Sequence, residues 1–543
     1  MRRVGQVPWP TEVAEEYLRR GHWRRELLGA LPGRWARRWG DRVAVVGGDR
    51  SLTYAELALA ADAVARQLLA LGLRDGDNVV LQLPNRWEFV PVVLGCARIG
   101  VAPVMALPAY RDHELSHLAD AAGAAAVVVP DAHRGFDHEA LAHRVAAGPG
   151  GPCPVLVVGE PARRDSVRLR VEPTPPPADD PLRAVPAPEP EDVVFLLLSG
   201  GTTGGLPKLI ARTHNDYEYN VRRMSELSGL TEDSVCLVVL PAGHNFALGC
   251  PGLLGTLGVG GTVVMLPSPE PEAALAAIAR HRVTTVALVP AVAQRWLDRF
   301  DPARDDVDSL KVVQVGGARC PADVASRLGR TFGCTVQQVY GMAEGLLNCT
   351  RLDDPSDVVV DTQGRPISPD DEILLVDADG VPAEHGELLT RGPYTPRGYF
   401  RGGAHNAGSF TPDGWYRTGD VVRRHPSGNL VVEGRTRDLI NRAGEKISAA
   451  EVEDLAQLLP HVRAAAAIAV PDPDTGERVC LCVVLRPGAA LALSEVREVF
   501  RAKGVAAFKI PERLEVLDEL PLTPVGKPDK KRLRQLFGEP VDR

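Results

Sequence analysis

VVFLLLSGGTTGGLPK, residues 193 to 208, is an apolar run of six residues that passes directly into a Gly/Thr-rich turn ending in Pro207-Lys208. Six consecutive apolar residues of which two are β-branched predict a strand buried on both faces. The glycines after it let backbone amides turn toward an anion, the threonine hydroxyls can donate to phosphate oxygens, and Lys208 brings a compensating charge. The segment therefore predicts a phosphate-holding loop behind a buried strand. It is not a Walker A loop, because Leu206-Pro207 separates Gly205 from Lys208 where that motif needs Gly-Lys-Ser/Thr in succession. The plainer alternative is a flexible Gly/Thr turn.

Outward from this strand the same rhythm repeats. Residues 42 to 108 alternate short strands (VAVV, NVVLQL, APVMAL) with Ala/Leu-rich helical stretches, AAAVVVP and PVLVVG follow, and VCLVVLP, TVVMLP, TTVALVP, KVVQVGG and TVQQVYG continue the pattern beyond the loop. Such alternation predicts α/β sheets. Residues 160 to 192, rich in Pro and acidic side chains, lack the composition of a core and read as a loop or linker. After about residue 370 short strands with Gly/Pro/Asp turns (EILLVD, GELLTRG, NLVVEG) predict a small β-rich subdomain. The last hundred residues read as another α/β unit. The expected division is a large unit 1–434, a boundary at 435–438 and a small unit 439–543, with no internal repeat.

The 543 residues carry a net charge of -8, which gives no electrostatic footprint for nucleic acid, since phosphate binding rests mainly on clustered Lys and Arg. No uncharged apolar run approaches the roughly 18 residues that span a bilayer. The N-terminus mixes Arg with three Glu and has no apolar segment, unlike an export signal. Nine cysteines, odd in number and without a C-x-x-C pair, indicate neither a disulfide framework nor a zinc site, so a reducing, cytoplasmic setting is expected, with no nucleic acid or membrane partner. Cys480 and Cys482 read as packing residues on one face of a strand, and Asp472-x-Asp474 as a surface turn. Asn348-Cys349-Thr350 matches a glycosylation sequon without the export such a sequon needs.

Only eight of the 62 basic residues are lysines, at 208, 311, 446, 503, 509, 527, 530 and 531. Where Arg carries the generic surface charge, a retained Lys points to a need for its compact ammonium and flexible stem.

Further segments stand in order along the chain: YGMAE at 340–344, YRTGD at 416–420, GRTRD at 434–438, GEK at 444–446 and PLTPVGK at 521–527. With SGGTTG and PK at 199–208, they resemble the motifs of the adenylate-forming superfamily. The resemblance covers essentially the whole chain and is closest to stand-alone aryl-acid adenylating enzymes of siderophore and related nonribosomal peptide pathways, of the 2,3-dihydroxybenzoate-AMP ligase and salicylate-AMP ligase type. It is carried also by GHNFALGCPG, QVGGARC, YGMAEGLLNCTRLDD, RGPYTPRGY and INRAGEKISAAEVE. The fold it implies is a large N-terminal adenylate-forming domain, with two α/β sheet subdomains and a small β-rich one, followed by a small mobile C-terminal α/β domain.

What the resemblance implies for single residues follows motif by motif. Joining a carboxylate to the α-phosphate of ATP brings two anions together, so the site must supply cations and oriented dipoles. Ser199, Gly200, Thr202, Thr203, Gly204 and Lys208 would cradle the leaving pyrophosphate, and Glu344 would help hold Mg²⁺. The loop carries one residue more than the family's usual loop between Thr203 and Pro207. Gly316, Gly317, Ala318, Val339, Tyr340, Gly341 and Met342 would border the adenine, with Asp420 and Arg435 at the ribose. Lys527 resembles the mobile catalytic lysine, Arg437 sits at the hinge position, and Lys446 lies on the loop that approaches a phosphopantetheine thiol after domain rotation. His244 joins Lys527, Lys208 and Lys446 among the catalytic candidates. The acceptor implied is an aryl carrier protein in trans, since the chain ends soon after Lys527, with free CoA as the alternative. A silent nucleotide- or acid-binding relative is disfavoured because Lys208, Glu344, Asp420 and Lys527 are all retained.

The acid would be read by Asn245, Phe246, Cys250, Gly317, Leu346 and Leu347. In the family's aryl-acid members an Asn at the position of Asn245 bonds the hydroxyl ortho to the carboxylate. Cys250 and Leu347 replace the Ser and Val of the dihydroxybenzoate enzymes. Cys is the weaker hydrogen-bond partner and Leu fills the volume of a 3-hydroxyl, so salicylate, or a substituted salicylate such as 6-methylsalicylate, is expected over 2,3-dihydroxybenzoate.

Overall fold

The computed structural model describes residues 5–148, 152–199, 207–377, 379–435, 439–442, 445–472, 475–503, 507–524 and 526–538. Among these, the strand Val193–Leu198 lies in a seven-stranded sheet, next to Ala102–Met105 on one side and paired antiparallel with Leu209–Thr213 at the edge on the other. The remaining strands of that sheet, Asn78–Leu81, Ala124–Pro130, Val155–Val158 and Val167–Leu169, run parallel. Alternate side chains serve opposite faces: Val79 and Leu81 enter a core shared with the second sheet, while Val80 packs with Leu115, Leu118 and Leu141 from the helices behind.

The second sheet has nine strands. Its parallel centre, Val43–Gly47, Thr262–Met265, Val235–Val238, Thr285–Leu288, Val312–Gly316 and Thr335–Gly341, is flanked by antiparallel edges. Strands so placed are covered on both faces, so most read as Val/Leu-rich runs, although Gln314, Gln337 and Gln338 are buried in the last two. Helices between strands start on local signals; Tyr54–Ala70, for example, is held by a reciprocal Thr53–Glu56 capping box.

A four-stranded antiparallel sheet follows, made of Glu372–Val376, His385–Arg391, Tyr416–Arg424 and Leu430–Arg435. The C-terminal unit is built on Val462–Asp472 and Gly476–Leu485, with the hairpin Leu439–Arg442/Glu445–Ser448, the parallel strand Arg513–Leu517 and helices Ala449–Gln457, Leu493–Ala502 and Lys530–Phe537. Cys480 and Cys482 are both buried on one face with Ile468 and Leu533, and every cysteine is free. Asn348, the sequon residue, has no exposed surface. No helix of the described residues is long and apolar enough to cross a membrane.

One reading is corrected. Residues 160–192 do not form a bare linker: Val167–Leu169 is the edge strand of the first sheet, and Leu169, Val171 and Leu182 are buried in the main core. The segment SVRLRV alternates, so three apolar side chains suffice on one face although the overall composition is polar. Gln67 fastens the strap by accepting from the Arg170 amide (3.0 Å) and donating to its carbonyl (2.6 Å).

Candidate active site

The parallel strands Val312–Gly316 and Thr335–Gly341 place Gly316 opposite Val339. A Cβ at Gly316 would lie 2.5 Å from the Val339 carbonyl oxygen and 3.1 Å from the Phe246 ring, so this seam admits no side chain. Gly317 follows at φ +80°, a left-handed conformation that turns the chain out of the sheet, and Ala318 continues the same loop at the surface. The second strand turns through Met342, which packs half-buried on the main core, and returns as Leu347–Cys349, pairing Gly341 with Leu347 and Tyr340 with Asn348. Gly316, Val339 and Tyr340, expected at the nucleotide, and Leu347, expected at the acid, thus lie on neighbouring strands. Leu346 turns that corner at φ +26°, a strained conformation for a side chain of its size.

Asp420 is buried on the strand Tyr416–Arg424, where Tyr340 Oη donates to its Oδ2 over 2.7 Å and its amide donates to Thr418 Oγ1 over 3.0 Å. Its cross-strand neighbour is Arg435. A carboxylate held in this way can accept from vicinal hydroxyls.

The loop expected to hold phosphate is joined at its base by two bonds: the Ser199 amide to the Lys208 carbonyl and the Lys208 amide to Ser199 Oγ, both 3.0 Å. Gly200, Thr202, Thr203 and Gly204 lie outside the described residues, and so does the extra loop residue. Lys208 Nζ stands 4.6 Å from the centre of the Tyr399 ring. Tyr399 Oη in turn donates to Glu344 Oε1 (3.0 Å) and lies 3.3 Å from Tyr416 Oη. Burial, and then the Glu344 carboxylate, push the Tyr399 hydroxyl well above its usual pKa, so it stays a donor. Cation, aromatic ring, phenol and carboxylate form one connected cluster at the loop's mouth.

Among the described residues no group of three or more His, Cys, Asp or Glu could enclose a metal. The buried carboxylate of Glu344 suits Mg²⁺, which takes one or two protein carboxylates and completes its shell with water and phosphate oxygens.

Where the sequence places the acid, His244 caps the helix Asn245–Gly249, its Nδ1 accepting the Phe246 amide over 3.2 Å. That bond fixes the neutral tautomer with its proton on Nε2. Burial, reinforced by the Lys527 ammonium, lowers the imidazole pKa to about 4. Asn245 is buried; Tyr217 Oη donates to its Oδ1 at 2.9 Å, and its Nδ2 reaches Cys250 Sγ at 3.5 Å. Burial pushes the Cys250 thiol up to about 12, so the pocket holds a neutral SH. The Leu347 amide donates to Tyr394 Oη (3.0 Å), which donates to Asp371 Oδ2 (2.6 Å), and burial raises that carboxyl to about 8. The wall behind Leu347 is therefore a polar chain.

Lys527 comes from the C-terminal unit. A turn in which the Thr523 amide donates to the Lys527 carbonyl (2.7 Å) and the Lys527 amide to Thr523 Oγ1 (3.1 Å) presents it. Its Cε lies 3.7 Å from where a Gly317 Cβ would be, and it closes a cavity of about 10 Å³ with Leu240, Pro241, His244, Phe246, Val289 and Gly317. Arg437 lies outside the described residues, as do the side chains of Arg435 and Lys446. Sequence reasoning missed Tyr217, Tyr394, Tyr399, Tyr416 and Val289. Tyr394, Tyr399 and Tyr416 stand inside the quoted motifs and Tyr217 well beyond Lys208, where only their long-range partners reveal a part in the site.

Models of two families match the chain: AMP-binding enzyme over residues 33–400 and AMP-binding enzyme C-terminal domain over residues 451–527. It is 56% identical to a Streptomyces salicylyl-CoA synthase / salicylate adenylyltransferase, covering 100% of this chain and 99% of that one. It is 45% identical to the salicyl-AMP ligase / salicyl-S-ArCP synthetase of Mycobacterium tuberculosis, covering 98% and 95%. Among solved structures it resembles apo MbtA of Mycobacterium smegmatis, with a TM-score of 0.73 at 45% identity over 98% of this chain and 99% of that one. The mixed α/β body with a small C-terminal domain is the architecture of those relatives. Motif order, sheet topology and whole-length similarity agree that the chain belongs to the AMP-binding enzymes of the adenylate-forming superfamily, alongside the aryl-acid adenylating members.

Proposed function

We propose that this enzyme activates salicylate, or a ring-substituted salicylate, with ATP and then hands the aryl group to a phosphopantetheine thiol. The observation that carries this reading is Lys527 at the mouth of a pocket lined by His244, Phe246 and Gly317, one strand away from Tyr340 and its bond to Asp420. In the first half-reaction a carboxylate oxygen attacks the α-phosphorus and the bond to the pyrophosphate oxygen breaks. The Lys527 ammonium offsets the charge of the two converging anions, and Lys208 with the loop from Ser199 receives the leaving pyrophosphate. Mg²⁺ held at Glu344 would supply charge neutralisation on the phosphates. His244, neutral near pH 7, adds a donor at the pocket mouth without adding charge.

In the second half-reaction the thiol sulfur forms a bond to the acyl carbon, its proton passes to solvent, and AMP leaves with the C–O bond electrons. We divide the chain at 435–438, with Arg437 as the hinge about which the small domain turns to withdraw Lys527 and bring up Lys446.

Asn245 supports an ortho-hydroxy acid, and the pair Cys250 and Leu347 supports salicylate over 2,3-dihydroxybenzoate. The Mycobacterium tuberculosis relative is a salicyl-S-ArCP synthetase and the Streptomyces relative a salicylyl-CoA synthase, so both acceptors occur among the relatives; we read the acceptor here as a carrier-protein thiol, with CoA as the second reading. Competing salicylate against 2,3-dihydroxybenzoate in ATP–pyrophosphate exchange tests the acid, and a clear preference for the latter would overturn it. Consumption of preformed aryl-AMP by CoA faster than by a pantetheinylated aryl carrier protein would reverse the acceptor assignment.

A further inference from the structure

Arg319 lies two residues beyond Gly317 in the loop after the strand Val312–Gly316, and its guanidinium Nη1 pairs with Oδ2 of Asp454 on the helix Ala449–Gln457 of the small domain. The surroundings make this pair unusual. Asp454 stands beside Glu451 and Glu453, whose charges repel it. Both neighbours are neutralised from within the small domain: Lys509 meets both oxygens of Glu451 at 2.8 Å, and Lys530 meets Glu453 at 2.7 Å while the Ala467 amide donates to the same oxygen. Asp454 alone draws its cation from the large domain. Partial burial and the two glutamates raise its pKa to about 6 against the opposing pull of Arg319.

The same short loop is thus gripped twice. Lys527 packs at Gly317, and Asp454 holds Arg319. Withdrawal of Lys527 by a turn of the small domain must also part the ion pair, whose partners then return to water.

We propose that Arg319 and Asp454 form an interdomain latch that positions Lys527 for adenylation and so sets how the enzyme divides its time between the two half-reactions. This rests on the two-half-reaction reading above. Both are positioning residues; neither is asked to touch substrate.

A half-exposed pair is a modest device, so the expected effect is modest. Arg319→Ala and Asp454→Asn should each lower the rate of ATP–pyrophosphate exchange with salicylate about three- to fivefold, the range an exposed ion pair supports. Thioester formation from supplied salicyl-AMP should hold or rise. Charge reversal at one position, Arg319→Asp or Asp454→Arg, should be more damaging, and the double reversal should recover most of the exchange rate. Equal loss of both half-reactions, or a double reversal no better than the singles, overturns the latch. Hydrogen–deuterium exchange of the substrate-free full-length enzyme gives a readout independent of chemistry. Amides of residues 317–320 and of the helix 449–457 should exchange faster in the single variants and return toward wild type in the double reversal. Should wild type exchange pyrophosphate with no hydroxybenzoate, the functional reading fails, while the latch stands or falls on this protection pattern. Unchanged protection in the singles overturns it.

Discussion

The hydroxyl of Tyr217 and the amide of Asn245 are joined by a fully buried bond of 2.9 Å, which turns the Asn245 Nδ2 toward Cys250. An amide fixed in this sense presents a donor to the pocket, and the substituent it meets has to accept. Tyr217→Phe leaves Oδ1 of Asn245 unpaired, a defect worth about 1–3 kcal/mol at a buried site. The expected outcome is a fall of about tenfold in kcat/KM for salicylate, carried mostly by KM. Benzoate, which lacks the ortho acceptor, should lose less, so the salicylate-to-benzoate ratio narrows. An unchanged ratio would show that Tyr217 does not orient the amide.

Cys250 and Leu347 are both buried around the acid pocket. Cys250→Ser supplies a stronger hydrogen-bonding group, and Leu347→Val frees about one methylene of volume. The double variant should use 2,3-dihydroxybenzoate relatively better than wild type, read as the ratio of kcat/KM values in pyrophosphate exchange. A constant ratio would remove these residues from ring selection.

Lys527 is the cation brought to the pocket mouth by the small domain. Its replacement by Ala should slow adenylation by about 10² or more, comparable to losing one preorganised transition-state donor, while thioester formation from supplied aryl-AMP survives. Single-turnover assays of each half-reaction separate the two. Equal losses would contradict domain alternation.

His244 titrates at about 4 in the fold against 6.5 when unperturbed. Between those values the unfolded chain binds more protons than the folded one, so this residue costs no stability above about pH 6.5 and destabilises progressively as pH falls toward 4. Thermal melts of wild type and His244→Gln should diverge below pH 6.5, with the variant losing stability less steeply. Melting curves that stay parallel from pH 7 to pH 4.5 would refute the depressed pKa.

Much of this site could be read in the chain because each motif is local. Ser199 to Lys208, Tyr340 to Glu344 and the residues around Asp420 are short strings whose spacing carries their chemistry. What stayed hidden was what those strings touch. The bond from Tyr340 to Asp420 spans 80 residues, that from Tyr399 to Glu344 spans 55 and that from Tyr394 to Asp371 spans 23. No periodicity encodes such pairings, because sheet order rather than chain order makes them neighbours. The strap at 160–192 was misread for a related reason: three alternating apolar residues anchor an edge strand inside a composition that otherwise signals a linker. Scarcity of lysine points to Lys208, Lys446 and Lys527, of which the Lys446 side chain lies outside the described residues, yet the arginine that meets Asp454 is one of 54 and carries no mark.

The cavity beneath Lys527, at about 10 Å³, is no larger than a single water requires. Six of its walls, Leu240, Pro241, His244, Phe246, Val289 and Gly317, belong to the large unit, and the seventh is the side chain of Lys527 from the small unit. A turn of the small unit that carries Lys527 away removes that wall, so the movement that withdraws the cation is also the movement that widens the entrance. Departure of the charge and access to the pocket are tied to one motion.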